Sequence, residues 1–307
     1  MKIGLHDSDN TSFPNLALMK LSAWHKAQGD DVKFYDPLFA SCFDKVYSSK
    51  VFTFTPESLE LVGNVEKGGT GYKSPSMLPD EIEHICPDYS LYSLDYSIGF
   101  LTRGCPNKCA WCIVPRKEGE LKAHADVDEF LRHDKVVFMD NNVLASEYGI
   151  SQIEKLSRLQ VKVDFNQGLD ARLIDDSVAR LLAKVRWLHA IRLACDQPGQ
   201  MPAIQKAVSL LRWHNAKPQR YFVYCLVKDV DEALERVKFL KGLYLEPFAQ
   251  PFIDYDGGCF PTKEQREFAR WVNHTAVFNS VAWEAYKSAN NRLHTTGKGG
   301  EQNWLFT

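Results

Sequence analysis

The sequence predicts an α/β chain, an open (β/α)6 partial TIM barrel preceded by a small α/β domain. Three observations predict it. Six short apolar runs after Tyr96 alternate with helical patterns, and such alternation gives a parallel sheet because each right-handed crossover returns the chain in the same direction. Six units are too few to close an eight-stranded barrel but enough for an open one. Ahead of them a strand–helix–strand pattern is set off by a stretch rich in Gly, Ser, Pro and Lys. The expected division is a small α/β domain over 1–90, the barrel over 91–260 and a helical extension over 261–307.

Taken in order, Lys2–Leu5 is an apolar strand and Pro14 suits the start of a helix. On that helix Leu16, Met19, Ala23 and Ala27 form a stripe, widened by Ala17 and Trp24 and interrupted by Lys20. Gly29 ends it. Strands follow at Val32–Tyr35 and within Val46–Thr55, and 64–79 reads as a long loop. The domain junction falls between Leu78 and Tyr96. The barrel strands are Ser97–Thr102, Lys135–Met139, Val161–Phe165, Trp187–Ala194, Tyr221–Val227 and Pro247–Ile253. Helices are expected at Asp126–His133, Ser146–Leu159, Asp176–Lys184, Pro202–His214 and Asp231–Lys241, and Glu264–Lys287 is a long terminal helix or a helix pair. Polar residues gather where the strands end, which is where such folds build their sites.

Composition narrows the class. The chain has 307 residues, 45% hydrophobic and 25% charged, with a formal net charge of −2. That balance is ordinary for a globular protein and gives no general attraction to nucleic acid, although it allows a local basic patch. No apolar run approaches the roughly 20 residues that cross a bilayer, and MKIGLHDSDN does not resemble a signal peptide. A cytoplasmic protein is expected. Its eight cysteines then point to metal binding or buried thiols rather than disulfides.

Three of them lie in Cys105-Pro-Asn-Lys-Cys109-Ala-Trp-Cys112. Pro106 and Asn107 favour a turn, so one loop can wrap a metal centre. A four-iron cluster normally takes four thiolates; three leave one iron open to a substrate or cofactor. Zinc would need a fourth ligand, such as His124 or a distant cysteine, and usually shows a second C-x2-C knuckle, which this chain lacks. The plain alternative is three unligated thiols.

The segment Gly99-Phe-Leu-Thr-Arg-Gly-Cys105-Pro-Asn-Lys-Cys109-Ala-Trp-Cys112-Ile-Val-Pro115 resembles the signature of the radical S-adenosylmethionine superfamily, and the likeness extends over about Ser97 to Ile253. The resemblance implies a 4Fe-4S cluster on Cys105, Cys109 and Cys112, and S-adenosylmethionine on its open iron. It further implies reductive cleavage to a 5′-deoxyadenosyl radical and hydrogen abstraction from a substrate, with a flavodoxin- or ferredoxin-type electron donor. The cofactor brings the difficult chemistry and the protein orients it. Trp111 then resembles the aromatic beside the adenine, or is a core aromatic. Asp140-Asn141-Asn142 stands where the family has a Gly-Gly-Glu-like motif for the cofactor's amino group and departs from it; an Asn here also suits a helix N-cap. Asn166, Gln167, Asp170 and Arg172 suit a ribose or a carboxylate, unless Asp170 and Arg172 simply pair. Arg192 sits inside an apolar strand and needs either a cofactor carboxylate or a structural acid.

The remaining cysteines are scattered. Cys259 in Gly257-Gly258-Cys259 is the best candidate for a catalytic thiol; Cys42, Cys86 and Cys225 read as small buried apolar residues, and Cys195 ends a strand. Residues 1 to about 90 resemble a Rossmann-like cobalamin-binding module. Its D-x-H-x-x-G motif is absent, and His6-Asp7-Ser8-Asp9 is not that pattern. The preferred reading is a degenerate lid, with Gly68-Gly69-Thr70-Gly71 as a possible approach to a phosphate or corrin or a plain loop. Cys112-Ile-Val-Pro115 is similar to the tRNA methylthiotransferases, but the N-terminal domain has only Cys42 and Cys86 where those enzymes carry three ligands. Arg266, Phe268, Trp271, His274, Phe278, Trp283 and Tyr286 fall at helical spacing, which favours packing against the barrel over stacking on bases. Two rivals remain open: a cobalamin-dependent radical methyltransferase, and a zinc-stabilised nucleic-acid-binding protein.

Overall fold

The computed structural model describes residues 1–73, 77–254 and 257–287. In chain order the elements are β1 (Lys2–Asp7), α1 (Leu16–Ala27), β2 (Asp31–Phe34), β3 (Lys45–Ser49), β4 (Val65–Gly68), α2 (Asp80–Glu83), β5 (Ser97–Gly99) and β6 (Thr102–Arg103). Then come α3 (Val114–Lys117), β7 (Lys122–Ala123), α4 (Val127–Phe130), β8 (Lys135–Phe138), α5 (Glu147–Leu159), β9 (Lys162–Phe165), α6 (Asp176–Leu182) and β10 (Arg186–Trp187). The last are β11 (Ala190–Ala194), α7 (Met201–Trp213), β12 (Arg220–Val227), α8 (Val230–Gly242), β13 (Glu246–Pro251), α9 (Lys263–Asn273) and α10 (Thr275–Ser280). The described residues form two compact units, one drawn from Met1–Leu101 and His124–Val137, the other from Thr102–Ala123 and Phe138–Lys287.

The first unit holds a parallel sheet in the order β2-β1-β3-β4. Ile3 and Leu5 of β1 meet Leu18 and Leu21 of α1 and Ile82 in its core. The buried side of α1 is therefore not the predicted stripe. Leu18, Met19, Lys20, Leu21, Ser22 and His25 are covered, because α1 is packed on more than one side and buried polar groups there find partners. Lys20, the apparent interruption, donates to the Glu83 carboxylate at 3.0 Å and to the Glu83 carbonyl. Gly29 ends the helix with φ +81°, as expected. Two further differences concern strands. The run Val46–Thr55 stops being a strand at Ser49, where Asp9 accepts from Val51 N and Thr55 Oγ1 and folds the chain away. The expected loop over 64–79 contains β4, a polar strand beside β3 with no apolar alternation to reveal it. Its glycines have a packing reason: a Cβ on Gly69 would stand 2.3 Å from the Lys50 carbonyl oxygen, and Gly69 has φ +89°. That carbonyl accepts from Gly71 N, so this loop is closed on its own chain. In the same unit β5 lies beside β8.

The second unit continues the alternation of parallel strands and helices. β9 pairs with β10, and β11-β12-β13 form a separate parallel sheet. The predicted strand Trp187–Ala194 is thus two strands in different sheets, and Leu193 of β11 makes a parallel bridge to Leu169 in the loop after β9. The architecture is mixed α/β with parallel sheets, and no sheet closes into a barrel among the described residues. The expected helix Asp126–His133 is only α4, which starts at a capping box of Asp126 and Glu129 and ends where Leu131 turns extended. On β11–β13 one face is fully buried, with Ile191, Leu193, Val223, Cys225, Val227 and Ala249 almost without exposure. The other carries Arg192, Phe222, Tyr224 and Phe248, which are half-buried. The terminal segment is neither one helix nor a pair: it breaks at His274 (φ −93°, ψ 87°) between α9 and α10, and a further helical stretch begins at Trp283. Phe268, Trp271, Phe278 and Trp283 are buried against one another, with Arg266 and His274 exposed. Packing, not base stacking, accounts for these aromatics. The part of the extension beyond residue 287 lies outside the described residues.

Two outcomes follow from this packing. Phe268→Ala removes a fully buried ring between Trp271 and Trp283 and lowers stability by about 3–5 kcal/mol in denaturant titration. Glu83 gives a pH-dependent effect. Burial pushes its carboxyl up, but hydrogen bonds and charges from His124 and Lys20 outweigh it and bring it down to about 2. Its stabilising contribution is complete above its ordinary value of 4.5 and is lost as pH falls from there toward about 2. The stability difference between the wild type and Glu83→Gln shrinks over that window when unfolding is followed by circular dichroism.

Candidate functional site

The cysteine loop is closed at its neck. β6 and β7 pair antiparallel through Thr102↔Ala123 and Arg103↔Lys122, so 104–121 leaves and returns at one place. Gly104 has φ +81°, and a Cβ there would stand 2.2 Å from the Glu120 carbonyl oxygen. Only glycine fits this crossing. Gly104 N donates to Glu118 Oε2 at 2.9 Å, Arg103 pairs with Glu118 Oε1 at 3.2 Å, and Asn141 Nδ2 donates to Glu118 Oε2 at 2.9 Å. One buried carboxylate therefore ties both ends of the loop to the residues that follow β8.

Within the loop, Cys112 N donates to the Cys109 carbonyl at 3.0 Å, a tight turn that brings the last two cysteines round. Val114 N donates to Cys112 Sγ at 3.4 Å. Cys105 and Cys109 are half-buried and Cys112 is exposed. Burial pushes the Cys109 thiol up, the charges of Cys112 and Cys105 push it further, and Arg172 opposes them. Burial also raises Cys112; a backbone hydrogen bond from Val114 opposes this, and charge on Cys105 adds to the rise. The three sulfurs thus feel one another. Among the described residues, however, no three Cys, His, Asp or Glu side chains are gathered tightly enough for one metal ion. A tetrahedral zinc bound at about 2.3 Å would hold its sulfurs about 3.8 Å apart. His124, the possible fourth zinc ligand, is engaged with Glu83 at 3.3 Å.

The residues after β8 and β9 converge on this loop. Asn142 Nδ2 donates to Cys105 Sγ at 3.7 Å and to Asp170 Oδ2 at 3.4 Å, and Asn107 Nδ2 donates to the same Asp170 oxygen at 3.2 Å. Asp170 also takes Arg172 Nε at 2.8 Å and Nη2 at 2.5 Å. Burial pushes the Asp170 carboxyl up, but Arg172 and Asn107 outweigh it and hold it below the usual carboxylate range. Asn142 is 3% exposed, and its Oδ1 is buried without a partner. Such an acceptor is costly unless something donates to it. Asn142 caps no helix: the turn after it has no side-chain cap, and Ser146 caps α5. Asp140 accepts from Thr102 N at 2.5 Å and Thr102 Oγ1 at 2.7 Å. Asn166 is half-buried and Gln167 exposed.

No family model matches the chain, and no curated protein matches it. Among solved structures it is similar to Streptococcus suis SuiB. Against SuiB bound to S-adenosylmethionine the identity is 11% and the TM-score 0.40, over 61% of this chain and 48% of that one. Against SuiB bound to precursor peptide SuiA they are 13% and 0.43, over 65% and 51%. The chain spans about half the length of SuiB. A likeness this distant says nothing of chemistry, which rests on the chain's own residues.

The other predicted residues have different partners. Arg192 meets a structural acid: Nε and Nη2 donate to the two oxygens of Asp164, each at 2.7 Å. Its Nη1 faces Tyr224 OH at 3.5 Å, and its guanidinium lies 5.1 Å from the Phe222 ring centre. Trp111 is half-buried, with Lys228 Nζ 4.7 Å from its ring centre and 4.5 Å from that of Phe252. Cys195 and Cys225 are fully buried; burial pushes Cys195 up to about 11 and Cys225 well above the usual thiol range. Cys86 is half-buried and Cys42 exposed, so the buried-thiol reading does not hold for Cys42, which lies on a surface turn. Cys259 is exposed, in a bridge with Asp254.

Sequence reasoning missed Glu118, Asp164, Asn107 as a donor to Asp170, and Lys228. Asp164 had a signal, since a lone acid in an apolar strand needs a cation as surely as Arg192 needs an acid. Glu118 had none to distinguish it from Glu120. Arg192→Ala leaves Asp164, 4% exposed, without its cation and lowers stability by about 3 kcal/mol in denaturant titration. Arg192→Lys recovers only part of that loss, because a lysine cannot make the forked pair.

Proposed function

We propose that this chain is an iron–sulfur enzyme that cleaves S-adenosylmethionine reductively and abstracts hydrogen from a substrate. The observation that carries the reading is the buried, partnerless Oδ1 of Asn142, whose Nδ2 donates to Cys105 Sγ in the three-cysteine loop. Cys105, Cys109 and Cys112 would hold a 4Fe-4S cluster, which supplies, when bound, one electron for breaking a carbon–sulfur bond of S-adenosylmethionine. A flavodoxin- or ferredoxin-type protein would deliver that electron. The scaffold is read as an open (β/α)6 barrel whose strand ends carry this site.

The chain's own residues then divide the work. Asn142 Oδ1 offers an acceptor to the ammonium of the cofactor, and the ionised Asp170 beside it adds negative charge. Neither Asn166 nor Gln167 spends its side chain on a hydrogen bond among the described residues, which leaves both for a ribose. Trp111 offers a ring face for the adenine. Arg192, held by Asp164, positions β9 against β11. Glu118 keeps the loop neck shut, which holds the three cysteines in one closed loop.

Anaerobic reconstitution with iron and sulfide gives a brown protein absorbing in the visible, and dithionite with S-adenosylmethionine then yields 5′-deoxyadenosine. Cys109→Ala loses both the colour and the product. A variant with full activity, or a colourless wild type holding one zinc, defeats the reading.

A further inference from the structure

At the opposite end of the strands from the cysteine loop, the second unit has a cavity of about 480 Å³. It is lined by Lys162, Ala183, Lys184, Val185, Arg186, Trp187, His214, Asn215 and Lys217. The cations come from three places. Lys162 begins β9, Lys184 and Arg186 flank the turn from α6 into β10, and Lys217 lies between α7 and β12. No acidic residue lines the cavity. Lys162, Lys184, Arg186 and Lys217 have no acid partner among the described residues; Arg186 donates only to the Gln160 carbonyl, at 2.8 Å. His214 is different, since its Nε2 is bonded to Asp176 at 2.7 Å.

Cations crowded into one concavity repel each other, and this chain does not lack acids to relieve them. It has 39 acidic residues against 37 Lys and Arg, and it pairs other lysines readily, as in Lys45–Glu66, Lys67–Glu57 and Lys135–Asp95. A cation-only hollow in a slightly acidic protein is therefore a local arrangement, not a by-product of composition. Its floor is apolar, from Ala183, Val185 and Trp187, whose indole N–H is already spent on the Leu182 carbonyl. The volume lies in the range of small-molecule sites, roughly 300–1,000 Å³. Nucleic-acid surfaces are usually extended stripes that track many phosphates; a hollow lined by four cations from three segments fits one small polyanion.

We propose that this cavity binds a diphosphate-bearing small molecule, its phosphates held by Lys162, Lys184, Arg186 and Lys217. The site is separate from the cysteine loop and does not depend on any cluster there.

Calorimetric titration of the full chain with pyrophosphate and with ADP tests it. Both bind at a single site, and Lys184→Glu/Lys217→Glu weakens binding by roughly tenfold or more, as reversal of two charges beside an anion requires. A control with the same change of net charge on exposed surface, Lys33→Glu/Lys238→Glu, keeps the wild-type affinity, and circular dichroism shows both variants folded. ADP binding much tighter than pyrophosphate identifies a nucleotide with its base on the Trp187 floor; equal affinities identify a free diphosphate. Either supports the site. No pyrophosphate or ADP binding at millimolar concentration, or equal affinity in the charge-reversed and wild-type proteins, overturns it. So does a mixed-sequence oligonucleotide that binds far tighter than ADP and loses that advantage in Lys184→Glu/Lys217→Glu.

Discussion

The arrangement of the thiols depends on one crossing of backbone. At Gly104 the chain passes so close to Glu120 that no side chain can stand between them, and the carboxylate of Glu118 fastens Gly104, Arg103 and Asn141 together. A long loop carrying three cysteines would otherwise sample many shapes, and its ordering would carry a large entropic cost. Shutting the neck removes most of that freedom before any ligand arrives. It also sets the loop beside the residues that follow β8, so that Asn142 reaches Cys105.

Around this neck the second unit is held by buried polar groups that find partners across strands. Asp140 satisfies both the backbone and the hydroxyl of Thr102. Asp164 and Arg192 join β9 to β11 by a forked pair. Arg236, 1% exposed, donates to the carbonyls of Cys195 and Leu226 at 2.6 and 2.8 Å and so ties the ends of β11 and β12 to α8. Such groups stabilise little on balance, but each is strongly destabilising if broken, because it leaves a buried charge or donor unmatched. They specify which strand ends meet, and with them which polar residues share the rim.

Much of this was legible in the sequence and some was not. The cysteine loop, the alternation of strands and helices and the helical character of the end are local patterns, readable from spacing and periodicity. The strand β4 was not, because Val65-Glu66-Lys67-Gly68 has no apolar alternation and is a strand only through its neighbour β3. The buried side of α1 was misjudged because Lys20 and Ser22 are buried with partners from distant segments, Glu83 and Asp88, and His25 lies between Asp30 and Tyr47. The two possible partners of Arg192 were named, and the choice of Asp164 required knowing which strand lies next to which. Asp170 and Arg172 did pair, yet Asp170 also gathers Asn107 and Asn142, which sequence neighbourhood alone does not reveal.

The sequence by itself placed three cysteines within eight residues, so that they lie in one local segment whatever the rest of the chain does. Tertiary structure decided which polar residues join them. Asn142 and Asp170 come to the loop, while Arg192 is withdrawn to Asp164, and four cations with no local pattern are brought around one cavity. The physical reason is range: spacing along the chain governs contacts within a turn, whereas pairing of charges between strands depends on register and burial that only the assembled sheet supplies.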